Sequence, residues 1–234
     1  MLTEAYVITL SGDKESFRQA DILIDSSAAV KNSFEITKFL ATDTNNVVET
    51  FQSKMIKWNY PWTKSVLDIQ SGLIKEPYRT ADPKRRMACF ASHYRLWEKS
   101  YNDNINLLVF EHDAQFIRHF DLEELEDVKF DVISLNDPRG ATRMSMKYYN
   151  MTEGSSVVPA PWIDDYQIPQ GLPGNSAYFL RPKGAKKLLD LTKEYGAWPN
   201  DALMCNQLMP KQLGCLGNYA TVVQRTSKSS TSDE

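Results

Sequence analysis

Short apolar runs alternate with longer amphipathic stretches along this chain of 234 residues. Five segments have the length and composition of β-strands: AYVITL (5–10), INLLVFEHD (105–113), FDVISLND (130–137), SAYFL (176–180) and YATVVQ (219–224). Between them, residues 81–100 and 182–196 carry apolar side chains at helical spacing. Strands that alternate with helices predict an α/β fold built on a largely parallel sheet.

Residue types at the ends of the two long amphipathic stretches support their assignment as helices. Asp82 and Pro83 suit the cap and first turn of one helix. Pro182 suits the first turn of the other, and Gly196 suits its end. A further helix is predicted over residues 201–209.

Other segments have little periodicity. Residues 22–80 mix weak helix and loop signals, whereas residues 138–173 are rich in proline and glycine. A loop as long as 138–173 is usually functional in a compact domain, so we interpret it as a segment that covers a site. We expect one domain over residues 1–226 and a disordered polar tail over residues 227–234.

Composition excludes several classes of partner. The net charge is −3 and the basic residues are scattered, so a nucleic acid or an anionic membrane surface is not an expected ligand. The apolar runs are too short to span a membrane, and the first residues do not resemble a signal peptide, so we expect a cytoplasmic protein. The three cysteines lack C-x-x-C spacing, which predicts buried thiols rather than disulfides.

Two carboxylates end one of the predicted strands. In LLVFEHDAQF (107–116), Glu111 and Asp113 follow four apolar residues, at the strand end where α/β sheets bind ligands. Side chains alternate along a strand, so Glu111 and Asp113 face one side and His112 faces the other. Two carboxylates on one side suit Mn²⁺ or Mg²⁺. Alternatively, the acids only carry the strand into solvent.

Six blocks along the chain together resemble a known enzyme family. In order they are RRMACFASHYRLWE (85–98), LLVFEHDAQF (107–116), DVISLN (131–136), PGNSAYFLRPKGAKKLL (173–189), WPNDALM (198–204) and VVQ (222–224). Their sequence is similar to that of glycosyltransferase family 25, which includes bacterial lipooligosaccharide β-galactosyltransferases and procollagen galactosyltransferases. The resemblance implies a single GT-A-like domain, with a Rossmann-like, mixed and mostly parallel sheet flanked by helices.

The same resemblance implies a reaction. A hexose, galactose in the family, would move with inversion from a UDP-sugar to a hydroxyl of a glycan or a modified protein side chain. A divalent cation, Mn²⁺ or Mg²⁺, would assist at Glu111 and Asp113. The family pattern has a third acid where this chain has His112, and a glycine where it has Ala88.

Matched positions provide the remaining candidate site residues. The resemblance implies substrate contacts for Ser92, His93, Gly174 and Asn175, although packing, a buried histidine and an ordinary turn would also account for them. Asp201, in the family's P-x-D position, is the leading candidate for the general base that an inverting transfer needs. Its place at a helix start also suits an acid for electrostatic reasons alone. Two further acids, Asp137 and Asp164, are reserve candidates for the base.

Two other functions fit the sequence. A metal-dependent phosphoesterase would also use acids at strand ends, but usually with more histidine ligands than three histidines can supply. A non-catalytic nucleotide-sugar-binding relative is the other alternative, because His112 replaces one of the family's acids. Turnover without an acceptor would indicate the first, and binding without turnover would indicate the second.

Overall fold

The computed structural model describes residues 2–60, 64–67, 69, 74–75, 82–139, 141, 145–162 and 171–223. Its helices are α1 (Lys14–Ala29), α2 (Val47–Ser53), α3 (Pro83–Asp103), α4 (Glu123–Glu126), α5 (Ser145–Thr152), α6 (Pro182–Tyr195) and α7 (Asn200–Leu203). Its strands are β1 (Thr3–Thr9), β2 (Ile36–Leu40), β3 (Val66–Leu67), β4 (Ile74–Lys75), β5 (Asn106–Glu111), β6 (Ala114–Phe116), β7 (Val132–Ser134), β8 (Val157–Pro159), β9 (Ala177–Leu180), β10 (Leu213–Leu216) and β11 (Thr221–Val223).

Seven strands form the central sheet, in the order β2-β1-β5-β9-β7-β10-β8. Strands β2, β1 and β5 are parallel to one another, and β9 runs antiparallel to both β5 and β7. Since β10 is parallel to β7 and β8 is antiparallel to β10, only β9 and β8 oppose the common direction. The predicted α/β class, with a mixed and mostly parallel sheet flanked by helices, is confirmed.

The two long predicted helices form as their end signals indicate. The Asp82 carboxylate accepts a hydrogen bond of 3.0 Å from the Lys84 N–H and so caps α3, with Pro83 in the first turn. Helix α6 begins at Pro182 and stops at Gly196, whose φ of 85° is left-handed. Both helices pack on the same face of the sheet, with Trp97 fully buried between them and the strands.

Strand β5 divides the hydrophobic core in two by simple alternation. Leu107 and Val109 belong to the cluster that contains α3 and α6, whereas Leu108 and Phe110 belong to the cluster that contains α1. All four side chains have no exposed surface, and each such burial contributes about 1.5–3 kcal/mol. Glu111 is the next residue on the Leu107 and Val109 side.

The chain order creates a crevice beside β5. After β1, the chain crosses through α1 to β2 on one side, and it later returns to place β5 on the other side of β1. Helices α1 and α3 cover opposite faces at this point. Such a reversal of strand order opens a crevice at the carboxyl ends of the two strands, where α/β sheets bind ligands. Glu111 pairs with Ile8 in the register at this edge.

Three expectations from the sequence need correction. Residues 22–80, in which the sequence shows only weak helix and loop signals, contain the end of α1 and the regular strand β2. The segment 138–173 is not an unstructured loop, because it contains α5 and β8. The helix expected over 201–209 is only the short α7, since Cys205 leaves the helical path to form a β-bridge with Gly171.

Within the part of the chain that the structure describes, no helix has the length and apolar character that a membrane span requires. Residues 227–234, the predicted tail, lie outside the described residues.

Candidate active site

Glu111 ends β5 at the crevice and faces helix α3. Its N–H donates a hydrogen bond of 2.8 Å to the carbonyl of Ser176, so the residues before β9 lie beside it. The side chain is 31% exposed. The carboxylate is therefore partly enclosed by protein but still open to solvent.

Two side chains of α3 approach Glu111 from the core. Cys89 and His93 are four residues apart, one helical turn, and therefore share a face of the helix. His93 Nε2 lies 3.4 Å from Glu111 Oε1. One potential ligand atom from each of Cys89, His93 and Glu111 lies within 4.8 Å of the others.

A buried hydrogen-bond chain orients the His93 ring. His93 Nδ1 lies 2.9 Å from the Tyr178 hydroxyl, and Trp97 Nε1 donates to the same oxygen at 3.0 Å. Burial lowers the pKa of His93 to about 3, against a smaller opposing effect of Asp201. His93 is consequently neutral at neutral pH.

Negative charge is concentrated around Glu111. Burial raises its pKa well above the ordinary value, and the charges of Asp113 and Asp201 raise it further. Among the described residues, no lysine or arginine forms an ion pair with Glu111. Three acids are thus brought close enough to act on one another, and a cation would relieve their mutual repulsion.

Asp201 is placed near Glu111 by a close backbone contact. The Asp201 carbonyl accepts a hydrogen bond of 3.1 Å from the Leu172 N–H. A Cβ at Gly171 would lie only 2.4 Å from that carbonyl oxygen, so only glycine permits the two segments to approach. The carboxylate accepts a local bond of 3.0 Å from the Ala202 N–H.

Asn175 lies two residues before β9, at the same edge of the sheet. It is 6% exposed, and among the described residues neither its amide nitrogen nor its amide oxygen has a hydrogen-bond partner. Buried polar groups are almost always satisfied, so this amide has capacity for a ligand. Gly174 is a turn residue with a φ of 80°, and a Cβ there would lie 3.1 Å from Asn136 Nδ2.

The other candidates are not brought into this cluster. Ser92 Oγ donates to the Ala88 carbonyl at 2.8 Å and accepts from the Thr42 N–H at 3.0 Å, so its hydroxyl is used within the protein. Asp137 is 6% exposed and is neutralised by an ion pair with Arg139. Asp164 lies outside the described residues.

His112 follows the last residue of β5 and lies in a turn, so strand alternation does not fix the side that it faces. The pKa of Glu15, in the first turn of α1, is lowered mainly by Arg18 and slightly by His112. His112 also lowers the pKa of Glu111, so it lies within electrostatic range of both carboxylates.

One member of the cluster, Cys89, was predicted from the sequence only as a buried thiol. Cys89 Sγ lies 3.6 Å from Asn200 Oδ1. Burial raises the pKa of the Cys89 thiol well above its ordinary value, and the charge of Glu111 raises it further. The available signal was the spacing of Cys89 and His93, but sequence alone does not show which strand end that helix face meets.

The potential metal ligands at this site fit a hard divalent cation of the kind that the resemblance implies. Glu111 and Asp113 supply carboxylate oxygens, which Mn²⁺ and Mg²⁺ prefer. Such an ion would relieve the repulsion between Glu111 and these neighbouring acids. Asp201 adds to the negative potential at the same place.

Comparison with known proteins gives a family match over most of the chain. The sequence profile described as "Glycosyltransferase family 25 (LPS biosynthesis protein)" matches residues 3–204. Among curated protein sequences, none matches significantly.

Solved structures give only weak similarity. The apo form of mouse xyloside xylosyltransferase 1 has 10% identity and a TM-score of 0.47, and the match covers 92% of this chain and 85% of that one. An active-site mutant of LgtC has 10% identity and a TM-score of 0.42, with coverage of 90% and 72%.

Proposed function

Because this chain belongs to glycosyltransferase family 25, we propose that it transfers a hexose from a UDP-sugar to a hydroxyl acceptor with inversion of the anomeric centre. Galactose is the proposed hexose, and a glycan or a modified protein side chain is the proposed acceptor. The observation that carries this proposal is the position of Glu111 in the crevice beside β5, with Asp113 and Asp201 close enough to raise its pKa.

The acids at the end of β5 would hold the donor's diphosphate through a cation. Glu111 and Asp113 would bind Mn²⁺ or Mg²⁺, which would offset the charge that develops on the leaving nucleotide. Without a cation, these carboxylates would repel a diphosphate. This requirement explains why an enzyme would keep a costly cluster of like charges at the open end of its sheet.

Asn175 would recognise a hydroxyl of the transferred sugar. Its amide can both donate and accept hydrogen bonds, as sugar hydroxyls do. Because the Ser176 carbonyl is bonded to the Glu111 N–H, the adjacent Asn175 is fixed beside the proposed diphosphate position. Both groups therefore lie at the same edge of the sheet.

Asp201 is the proposed general base. An inverting transfer needs a carboxylate within hydrogen-bond reach of the acceptor hydroxyl, on the side of the sugar opposite the leaving group. Asp201 lies in α7, whereas Asp113 follows β5 in the chain, so the two acids near Glu111 come from different elements. This arrangement leaves one acid for the diphosphate and another for the acceptor proton.

The test is calorimetric titration of the full chain with a panel of nucleotide sugars, with and without Mn²⁺. We expect UDP-galactose to bind only with the ion, and Asp113→Ala to abolish binding in a folded protein. The matched control is Asp103→Ala, at the end of α3, where the carboxylate is paired with Lys99 at 2.8 Å on the surface. The control should bind as the unchanged chain does.

Product analysis separates transfer from the alternatives. Transfer to a hydroxyl acceptor with little free hexose would support the proposal, whereas rapid release of free hexose without an acceptor would indicate a hydrolase. Equal donor affinity in a chelator would contradict the role of the cation. Failure to bind any nucleotide sugar would contradict the proposed function as a whole.

A further inference from the structure

We propose that Cys89, His93 and Glu111 form a distinct site for a zinc-class ion on the core side of Glu111. Such an ion is softer than Mn²⁺ or Mg²⁺ and accepts thiolate and imidazole ligands together with a carboxylate. Since Glu111 would belong to both sites, occupancy by zinc would exclude the cation that holds the donor. The site would thus make the enzyme sensitive to zinc.

The spacing of the donor atoms suits tetrahedral coordination. Nitrogen and oxygen ligands bound about 2.0–2.1 Å from zinc lie roughly 3.3 Å apart at a tetrahedral angle. His93 Nε2 and Glu111 Oε1 are already 3.4 Å apart. One potential ligand atom from each of the three residues, the Cys89 sulfur included, lies within 4.8 Å of the other two, so a side-chain adjustment would close the third contact.

His93 presents a nitrogen with no competing bond. It is 1% exposed, and among the described residues Nε2 has no hydrogen-bond partner of good geometry, the Glu111 contact being long. Nδ1 lies 2.9 Å from the Tyr178 hydroxyl. With the proton on Nδ1 donated to that oxygen, Nε2 keeps its lone pair for a metal, as outer partners of metal-binding histidines commonly ensure.

Charge balance favours a doubly charged ion at this place. One thiolate and one carboxylate neutralise Zn²⁺, which limits the cost of burying charge. Binding would release the thiol proton of Cys89 to the solvent, since only the thiolate coordinates. Asp113 and Asp201 add negative potential at Cys89, which Arg86 opposes in part.

Access and an open coordination position are also available. Glu111 is 31% exposed, so an ion can reach the site from the crevice. Three protein ligands leave a fourth position for water, as in other zinc sites with three protein ligands. The Cys89 thiol, which now donates to Asn200 Oδ1 at 3.6 Å, would give up that weak bond on coordination.

Cobalt titration of the chelator-treated full chain tests the site directly, because Co²⁺ replaces zinc and reports its ligands by absorption. We expect one equivalent of Co²⁺ to produce intense visible bands of a tetrahedral ion and a thiolate charge-transfer band in the near ultraviolet. Added Zn²⁺ should bleach both bands. Cys89→Ser should abolish the charge-transfer band and weaken the ion's affinity by more than the roughly 10–100-fold that loss of an outer partner costs.

Cys215→Ala is the matched control, because this buried thiol is in a separate cluster with Tyr148. It should keep the spectrum of the unchanged chain. Absence of the charge-transfer band from the unchanged chain, or its persistence in Cys89→Ser, would overturn the proposal.

The competition between ions rests on the proposed function, whereas zinc binding itself does not. Asp113→Ala distinguishes the two, because it should lose Mn²⁺-dependent donor binding and keep the cobalt charge-transfer band. If the unchanged chain shows the band but binds no nucleotide sugar, only the proposed function fails. If it binds UDP-galactose with Mn²⁺ and shows no band, only the zinc site fails.

Discussion

The hydroxyl of Tyr178 joins the ring of His93, at 2.9 Å, to the indole of Trp97, at 3.0 Å. All three side chains are buried, and Tyr178 lies on β9 while the other two lie on α3. These two hydrogen bonds therefore hold helix α3, which carries His93, against β9, the strand that borders the crevice.

Tyr178→Phe should destabilise the fold and loosen the site. It removes the partner of the Trp97 N–H, and leaving a buried donor unsatisfied costs about 1–3 kcal/mol. Urea denaturation would measure the loss, and cobalt spectra or donor affinity would report the altered His93. Tyr101→Phe, on the exposed side of α3, should change stability by less than about 0.5 kcal/mol.

Glu111→Gln should stabilise the metal-free protein while it abolishes donor binding. The carboxylate is crowded by protein and by the charges of Asp113 and Asp201, so a neutral amide of equal size removes an unfavourable charge. We expect a gain on the order of 1 kcal/mol at pH 7 in a chelator. Loss of stability in this variant would show that the charge is compensated.

The sequence predicted this charge cluster only in part. Alternation along β5 was enough to place Glu111 on the side of Leu107 and Val109, because the period of a strand is two, but β5 ends there and alternation does not extend to His112. The sequence pattern did not predict helix α1, because the buried face of this helix is made largely of small or polar residues, including Ser16, Ala20 and Ser26. Such a face gives little hydrophobic periodicity, although the helix has a regular cap.

The meeting of Cys89 with Glu111 could not be predicted from local pattern. The two residues belong to different elements, and their contact depends on how α3 packs across the sheet. The same is true of Asp201, whose position depends on the close approach at Gly171. Local sequence defines elements, but tertiary packing decides which of their side chains share a site.

Buried thiols should make stability fall at alkaline pH. Burial raises the pKa of Cys205 and of Cys215 to about 11, above the ordinary 9.0. Between these values the unfolded chain loses thiol protons that the folded chain keeps, so the contribution is complete below pH 9 and is lost as the pH rises through 11.

The measurement is urea denaturation at pH 8 and pH 10. Each thiol should account for about 1 kcal/mol of the fall, so Cys215→Ala should show a fall smaller by that amount. Comparison of the two pH slopes cancels the cost of the cavity that the substitution leaves. Equal slopes would contradict the effect of burial on this thiol.

Asn175→Ala should weaken donor binding without a comparable loss of stability. Its amide has no hydrogen-bond partner among the described residues, so truncation breaks no bond within that part of the free protein. We expect an affinity for UDP-galactose lower by about tenfold, the value of one good hydrogen bond. Calorimetry and urea denaturation would measure the two quantities.

Asn136→Ala is the informative contrast for that substitution. The Asn136 amide donates to the carbonyls of Asp137, at 3.2 Å, and Pro173, at 3.0 Å. Its loss should cost about 1–3 kcal/mol of stability because two buried acceptors lose their donor. If Asn175→Ala destabilises the protein as strongly, the amide of Asn175 has a structural role instead.

Gly171→Ala should lower activity by displacing Asp201. The added Cβ would lie 2.4 Å from the Asp201 carbonyl oxygen and 2.8 Å from Ala202 Cα, both backbone atoms that cannot turn aside. Helix α7 must therefore shift, at a cost of about 1–3 kcal/mol for overpacking. If Asp201 is the base, kcat should fall at least about tenfold while donor affinity changes little.

Gly154→Ala provides the control, because its φ of 76° strains an alanine although nothing lies within 4 Å of the added Cβ. That variant should lose stability and keep kcat, so an equal loss of kcat in both would contradict the role of Asp201.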